Sequence, residues 1–243
     1  MNREAQSVLL LLVGGAVLRI SVSDVYLRYV KEGLRPFLIV AGALLVVIAV
    51  ATLARELFGA KAEEGHDHEH ADDDGHGHGT RIAWMLVLPV FATFLIAPPA
   101  LGSYAASRGG QANVQQPTAD FAPLPKSDPA RITVVEYFTR AVWDKGGSMK
   151  DRNIQLSGFI TPRPEGGVYL TRIMLTCCAV DGRPIKVALT GSGVESLPAD
   201  TWVEVVGQHD PKVEKDKVNQ QEIPYFEVAE YKKIPAPKQP YEQ

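Results

Sequence analysis

The chain has 243 residues, 46% hydrophobic and only 22% charged, and its apolar residues crowd into the first 107 positions, which excludes one uniform globule. Neither part is basic: the first 108 residues hold 9 Lys/Arg against 11 Asp/Glu, the rest hold 16 against 17, and the total is −3, so a nucleic-acid partner is disfavoured. Two cysteines exclude a disulfide-built scaffold.

The first uncharged run, Ala5 to Leu18, has 14 residues, about 21 Å of helix and too short to cross a bilayer alone. It reads as a retained first helix reaching Val22 to Tyr26, with Arg19 snorkelling. The competing reading is a signal peptide with Arg3 as n-region and Val8 to Val13 as h-region, but no small-x-small cleavage site follows. Pro36 to Ala54 gives 19 residues without a charge, enough for roughly the 30 Å hydrocarbon core, with Pro36 in the first turn and Arg35 and Arg55 at the two interfaces. A third run, Ile82 to Ser107, carries Trp84 and Tyr104 near its ends, Pro89 as a kink and Pro98–Pro99 as a stop. The expectation is about three transmembrane helices and a multi-pass protein of the cell membrane. The flanking cations divide five against four and do not set the orientation.

Between the second and third runs lies Gly59 to Thr80, with five histidines, seven carboxylates and one lysine. Imidazole is the commonest ligand for borderline divalent ions, and His66, His68, His70, His76 and His78 can converge where glycines leave the chain pliable. Asp67, Asp72, Asp73 and Asp74 add oxygen donors and raise the local cation concentration. This predicts a labile, multidentate divalent-metal site with zinc as the leading ion. A plain polar loop and a pH-sensitive acidic segment are the alternatives.

From residue 108 to 127 the composition turns to Gly, Ala, Gln, Asn and Pro and reads as a flexible tether. Ile132, Val135, Phe138, Ala141 and Val142 then recur at a helical period, with Asp128 and Pro129 placed as cap and first-turn proline. After them the period falls to two, giving strands over Asn153–Ile160, Val168–Ala179, Pro184–Thr190, Trp202–Gln208 and Tyr225–Lys232. Five antiparallel strands in about 80 residues predict a small all-β, OB-like barrel with one leading helix over 128–234, followed by a Pro-rich tail, 235–243. An SH3-like barrel is the structural alternative.

Cys177 and Cys178 fall near the end of the second expected strand. Alternation there sends Tyr169, Ile173, Leu175 and Cys177 inward and leaves Cys178 with Arg172 and Thr176. The bland reading is two small side chains in a barrel wall; redox or metal work is the other, and metal would need further donors. The chain contains no nucleophile elbow, phosphate loop or zinc-protease helix, so no enzyme is expected.

The segments LLLLVGGAVLRIS, RYV, PALGSYAASRGG, VEYFTRA, SGFI, YLTRIMLTCCAVDGRP, DTWVEVVG and IPAPKQPYE, together with the His/Asp loop, resemble a bacterial family of two-component permease subunits across essentially the whole chain. The double cysteine with its flanks is the most specific mark. The resemblance implies a membrane accessory protein partnered with a larger multi-spanning permease, with links to zinc-responsive genes in some relatives. It carries over no catalytic residue. The expected function is therefore an accessory subunit in divalent-metal homeostasis or transport, with membrane lipid, a permease and a divalent ion as partners. A membrane-anchored thiol redox protein and an OB-like partner-binding module are the alternatives. The uncharged tether favours an extracytoplasmic barrel.

Overall fold

The computed structural model describes residues 3–59, 99–191 and 193–242. They fall into two compact units, one holding 3–26 and 32–59, the other 27–31, 100–191 and 193–242.

In the first unit, α1 (Arg3–Val22) and α2 (Arg35–Gly59) run antiparallel. Small residues let the backbones close in: a Cβ on Gly14 would sit 2.9 Å from Val46 Cγ2, and one on Gly42 2.9 Å from Leu18 Cγ. Ser7 and Thr52 hydroxyls hydrogen-bond across the pair at 2.9 Å. Arg35, expected as an interfacial charge, also closes the C-terminus of α1. Its Nε and Nη2 donate to the Ser21 and Val22 carbonyls, each at 3.1 Å, and satisfy acceptors the helix leaves orphaned. Glu32–Arg55 is the one helix among the described residues long and apolar enough to cross a membrane, and the apolar stretch Gln6–Val22 is shorter. Three spans are therefore not what the described residues contain. Residues 82–98 lie outside them, and Leu101 to Ser107, the end of the third expected run, belong to the second unit. There α3 (Ser103–Arg108) buries Ala106 in a cluster with Phe159, Ile173, Leu175 and Tyr241.

The second unit is a five-stranded barrel. Strands β2 (Ile154–Pro162), β3 (Val168–Met174), β4 (Arg183–Thr190), β5 (Trp202–Lys215) and β6 (Glu222–Lys233) are arranged so that β2 pairs antiparallel with both β3 and β5. Antiparallel β3–β4 and β5–β6 ladders and a parallel β4–β6 pairing close the ring, the connectivity of an OB-like barrel. Each of the five expected strands is present with shifted ends. β5 extends to Lys215 across two register shifts, the first at Val206/Gly207, where a Cβ on Gly207 would collide with the Glu227 carbonyl oxygen.

The leading helix α4 (Val134–Trp143) starts later than Asp128 and Pro129 suggested. Residues Ala130–Arg131 are held as β1, parallel to β2, and Ile132 N–H donates to Gln155 O at 3.3 Å, so the helix cannot begin before Thr133. The Thr133 hydroxyl accepts from Glu136 N–H as N-cap. Tyr137, Phe138 and Ala141 then pack into the barrel core with Leu156, Ile160, Val187 and Phe226.

Two segments expected to hang free are docked. In the expected tether, Gln111 is buried and clamps the β4 backbone, accepting from Lys186 N–H at 2.8 Å and donating to Lys186 O at 3.2 Å. A side-chain amide matches the donor and acceptor of one strand residue, and Leu124, buried in the core with Val114 packed against it, adds apolar contact to the same segment. In the expected tail, Tyr241–Glu242 form β7, parallel to β3. Glu242 accepts from Val134 and Val135 N–H at 3.0 and 2.8 Å, an anion on the α4 N-terminus, and lies 3.4 Å from Arg172 Nε.

Candidate metal centre

Strand β3 stops short of the cysteines, and its hydrogen bonds explain why. The β3–β4 register ends at Met174 opposite Arg183, and Leu175 N–H is taken by Glu242 O at 3.1 Å. The next three amides, Thr176, Cys177 and Cys178, all donate to the Asp181 carboxylate, at 2.9, 2.7 and 3.2 Å. A ladder would need those donors. The chain therefore turns through a short helical segment, Ala179–Asp181, and returns as β4. The parity expected to face inward does not line the main core: Val168 and Leu170 lie there with Met174 packed against it, while Tyr169, Ile173 and Leu175 are buried in two smaller clusters and Cys177 is exposed. The barrel-wall reading of the cysteines falls with it.

The turn presents its chemistry outward. The two sulfurs lie 3.7 Å apart, and one ligand atom each from Cys177, Cys178 and Asp181 falls within 4.8 Å of the others. Both cysteines are free thiols. A disulfide would bring the sulfurs to about 2.05 Å. Two thiolates on one tetrahedral zinc, at a Zn–S length of about 2.3 Å, stand about 3.8 Å apart. The observed spacing matches the second geometry without rearrangement. A pair of soft sulfurs with one carboxylate suits zinc or another thiophilic divalent ion and supplies three of four tetrahedral positions.

Electrostatics couple the three groups. The hydrogen bond to the Asp181 carboxylate, then that to the Cys178 thiol, pushes the Cys177 thiol up to about 11. The cost of desolvating Asp181 is outweighed by the Cys177 thiol and the three amides, which hold the carboxyl at about 2. The carboxylate is thus ionised while Cys177 keeps its proton at neutral pH. A divalent cation reverses that balance, since it stabilises thiolate and carboxylate together and displaces the proton.

The turn is braced from outside the barrel strands. Val30 and Cys178 form an antiparallel bridge, with Lys31 N–H donating to Cys177 O at 3.0 Å and Ala179 N–H donating to Tyr29 O at 2.7 Å. The Tyr241 hydroxyl donates to Arg28 O at 2.8 Å and accepts from Leu101 N–H at 2.9 Å.

Asp181 was not among the residues the sequence singled out; its signal is Cys-Cys-x-x-Asp-Gly, an aspartate and glycine at turn spacing after the thiols. The other expected donors, His66, His68, His70, His76, His78, Asp67, Asp72, Asp73 and Asp74, lie outside the described residues. The remaining histidine, His209, lines a separate cavity of about 680 Å³ with Phe138, Trp143 and Val213. The Tyr137 hydroxyl spends its one proton on Tyr225 O, so His209 Nδ1, 3.0 Å away, is the donor and Nε2 carries the lone pair. Burial, opposed by Asp210, lowers the His209 pKa and keeps the ring neutral.

Residues 6–111 match the DUF1980 N-terminal domain and residues 136–242 match the DUF1980 C-terminal domain. Neither description mentions a permease or a histidine loop. No curated protein and no solved structure matches the chain.

Proposed function

We propose that this chain, which belongs to the DUF1980 family, is a membrane-anchored accessory protein that binds a divalent metal ion, with zinc foremost, through Cys177, Cys178 and Asp181. The observation that carries the reading is the 3.7 Å sulfur pair beside a carboxylate already oriented by three amides. Three protein donors on an exposed turn leave a coordination position open, which suits an ion taken up and handed on better than a structural ion with four fixed ligands. The histidines of the 59–80 loop act as the weaker, labile collector of the same ion. The apolar helix Glu32–Arg55 is the anchor, and a multi-spanning permease is the partner that receives or supplies the ion. The role is binding and delivery, not catalysis.

Thiol redox work is the second reading: a redox nucleophile acts as thiolate, and the hydrogen bond to Asp181 favours the protonated form of Cys177. The test is zinc stoichiometry of the full-length protein in lipid nanodiscs, by competition with a chelating dye. The thiol site should disappear in Cys177→Ser/Cys178→Ser and persist when the five loop histidines become alanine. Zinc binding indifferent to the double serine variant would refute the assignment.

A further inference from the structure

The segment Leu27–Lys31 is covalently continuous on both sides with helical residues of the first unit, yet it belongs to the barrel unit. Its anchorage is the thiol turn. Cys177 and Cys178 give their N–H groups to Asp181, while the flanking backbone, Cys177 O and Ala179 N–H, is spent on Lys31 and Tyr29. Cys177, which holds one sulfur, and Ala179, which follows the other, therefore hold the connection between α1 and α2.

From this juxtaposition, and resting on the metal reading above, we infer that occupancy of the Cys177–Cys178–Asp181 site is thermodynamically linked to docking of the 27–31 segment. The closed turn, with its sulfurs 3.7 Å apart and the carboxylate beside them, is the arrangement that gathers the donors, so binding disfavours the open states in which the turn and the bridge come apart together. A ligand that favours only the closed arrangement slows its opening, and the coupling is reciprocal. Whatever pulls residues 27–31 off the turn must then weaken the hold on the ion by the same factor. The anchor connection is thus both a reader of the site and a release lever for it, which is what a protein that passes an ion to a membrane partner requires.

The experiment is hydrogen exchange with mass-spectrometric or NMR readout on the full-length protein in nanodiscs, zinc-free and zinc-loaded, with the thiol stoichiometry measured in parallel. Saturating zinc should slow exchange at the Lys31 and Ala179 amides by about tenfold or more, and the Cys177→Ser/Cys178→Ser protein should show no such change. The reciprocal arm uses Lys31→Pro, which removes the donor to Cys177 O while keeping Val30 extended, with Lys31→Ala as the control that retains the amide. Zinc affinity should fall about tenfold in the proline variant and stay unchanged in the alanine variant. Zinc that binds at the thiols but leaves Lys31 and Ala179 exchange unaltered overturns the linkage alone. Absence of thiol-dependent zinc binding overturns the metal reading and the linkage with it.

Discussion

Along α2, Phe37, Val40, Leu44 and Val47 stand more than half exposed, whereas in the barrel Leu156, Ile160, Leu170 and Val187 are at or below 1% exposure. The residue types are the same and their protein environments are opposite. The barrel buries its apolar surface against itself because alternate strand faces and α4 converge on one core. Helix α2 is apolar all round and buries only the stripe against α1, through Gly42 and Ala49. A helix of that character suits hydrocarbon rather than water. The comparison teaches that mean hydropathy locates such an element and that only its partners say where it can rest.

The largest effect that would test this contrast is expected at the edge of the barrel. Glu242→Ala removes the acceptor of the Val134 and Val135 amides at the start of α4 and leaves Arg172 without its ion partner, and should cost about 3–5 kcal/mol of barrel stability by chemical denaturation. A cost below about 1 kcal/mol would mean the tail merely rests on the barrel. Next comes the paired truncation. Leu156→Ala should destabilise the barrel by about 3 kcal/mol, while Leu44→Ala changes it by less than about 0.5 kcal/mol. Equal losses from the two would erase the distinction between the regions.

The smallest effect concerns the turn. Asp181→Asn removes the carboxylate that keeps Cys177 protonated, so the thiol should titrate well below 11, seen as faster alkylation of Cys177 at pH 9. In the wild type, the Asp181 carboxyl is depressed in the folded state. The order it confers is therefore complete above the unfolded carboxyl pKa of about 4 and is lost as pH falls from there through about 2. Turn amides that stay protected at pH 2 would remove Asp181 from its organising role.

Much of the barrel was legible in the sequence because apolar runs between turn residues are local: all five strands lie where expected, β5 with alternating burial and β3 and β4 buried on both faces, and the errors are at the ends. What was hidden depended on pairings distant in sequence. β1 delays the helix to Thr133, Gln111 docks on Lys186, and Glu242 reaches the α4 N-terminus, none of which a window of ten residues contains. The thiols were legible as a pair, but their exposure was not. Extrapolating the strand three residues past Met174 placed Cys177 inside, because nothing in alternation reveals that Asp181 captures three amides. The connection 27–31 shows the same limit, since its bridge to Cys178 spans almost 150 residues of sequence.

The most direct test is cobalt(II) substitution of the full-length protein in nanodiscs, read by optical absorption, since cobalt adopts zinc-like sites and reports its ligands. The account predicts a thiolate-to-cobalt charge-transfer band that survives alanine at all five loop histidines, weakens with Asp181→Asn and vanishes in Cys177→Ser/Cys178→Ser. Cobalt bound at full stoichiometry with no charge-transfer band in the wild-type protein would contradict it.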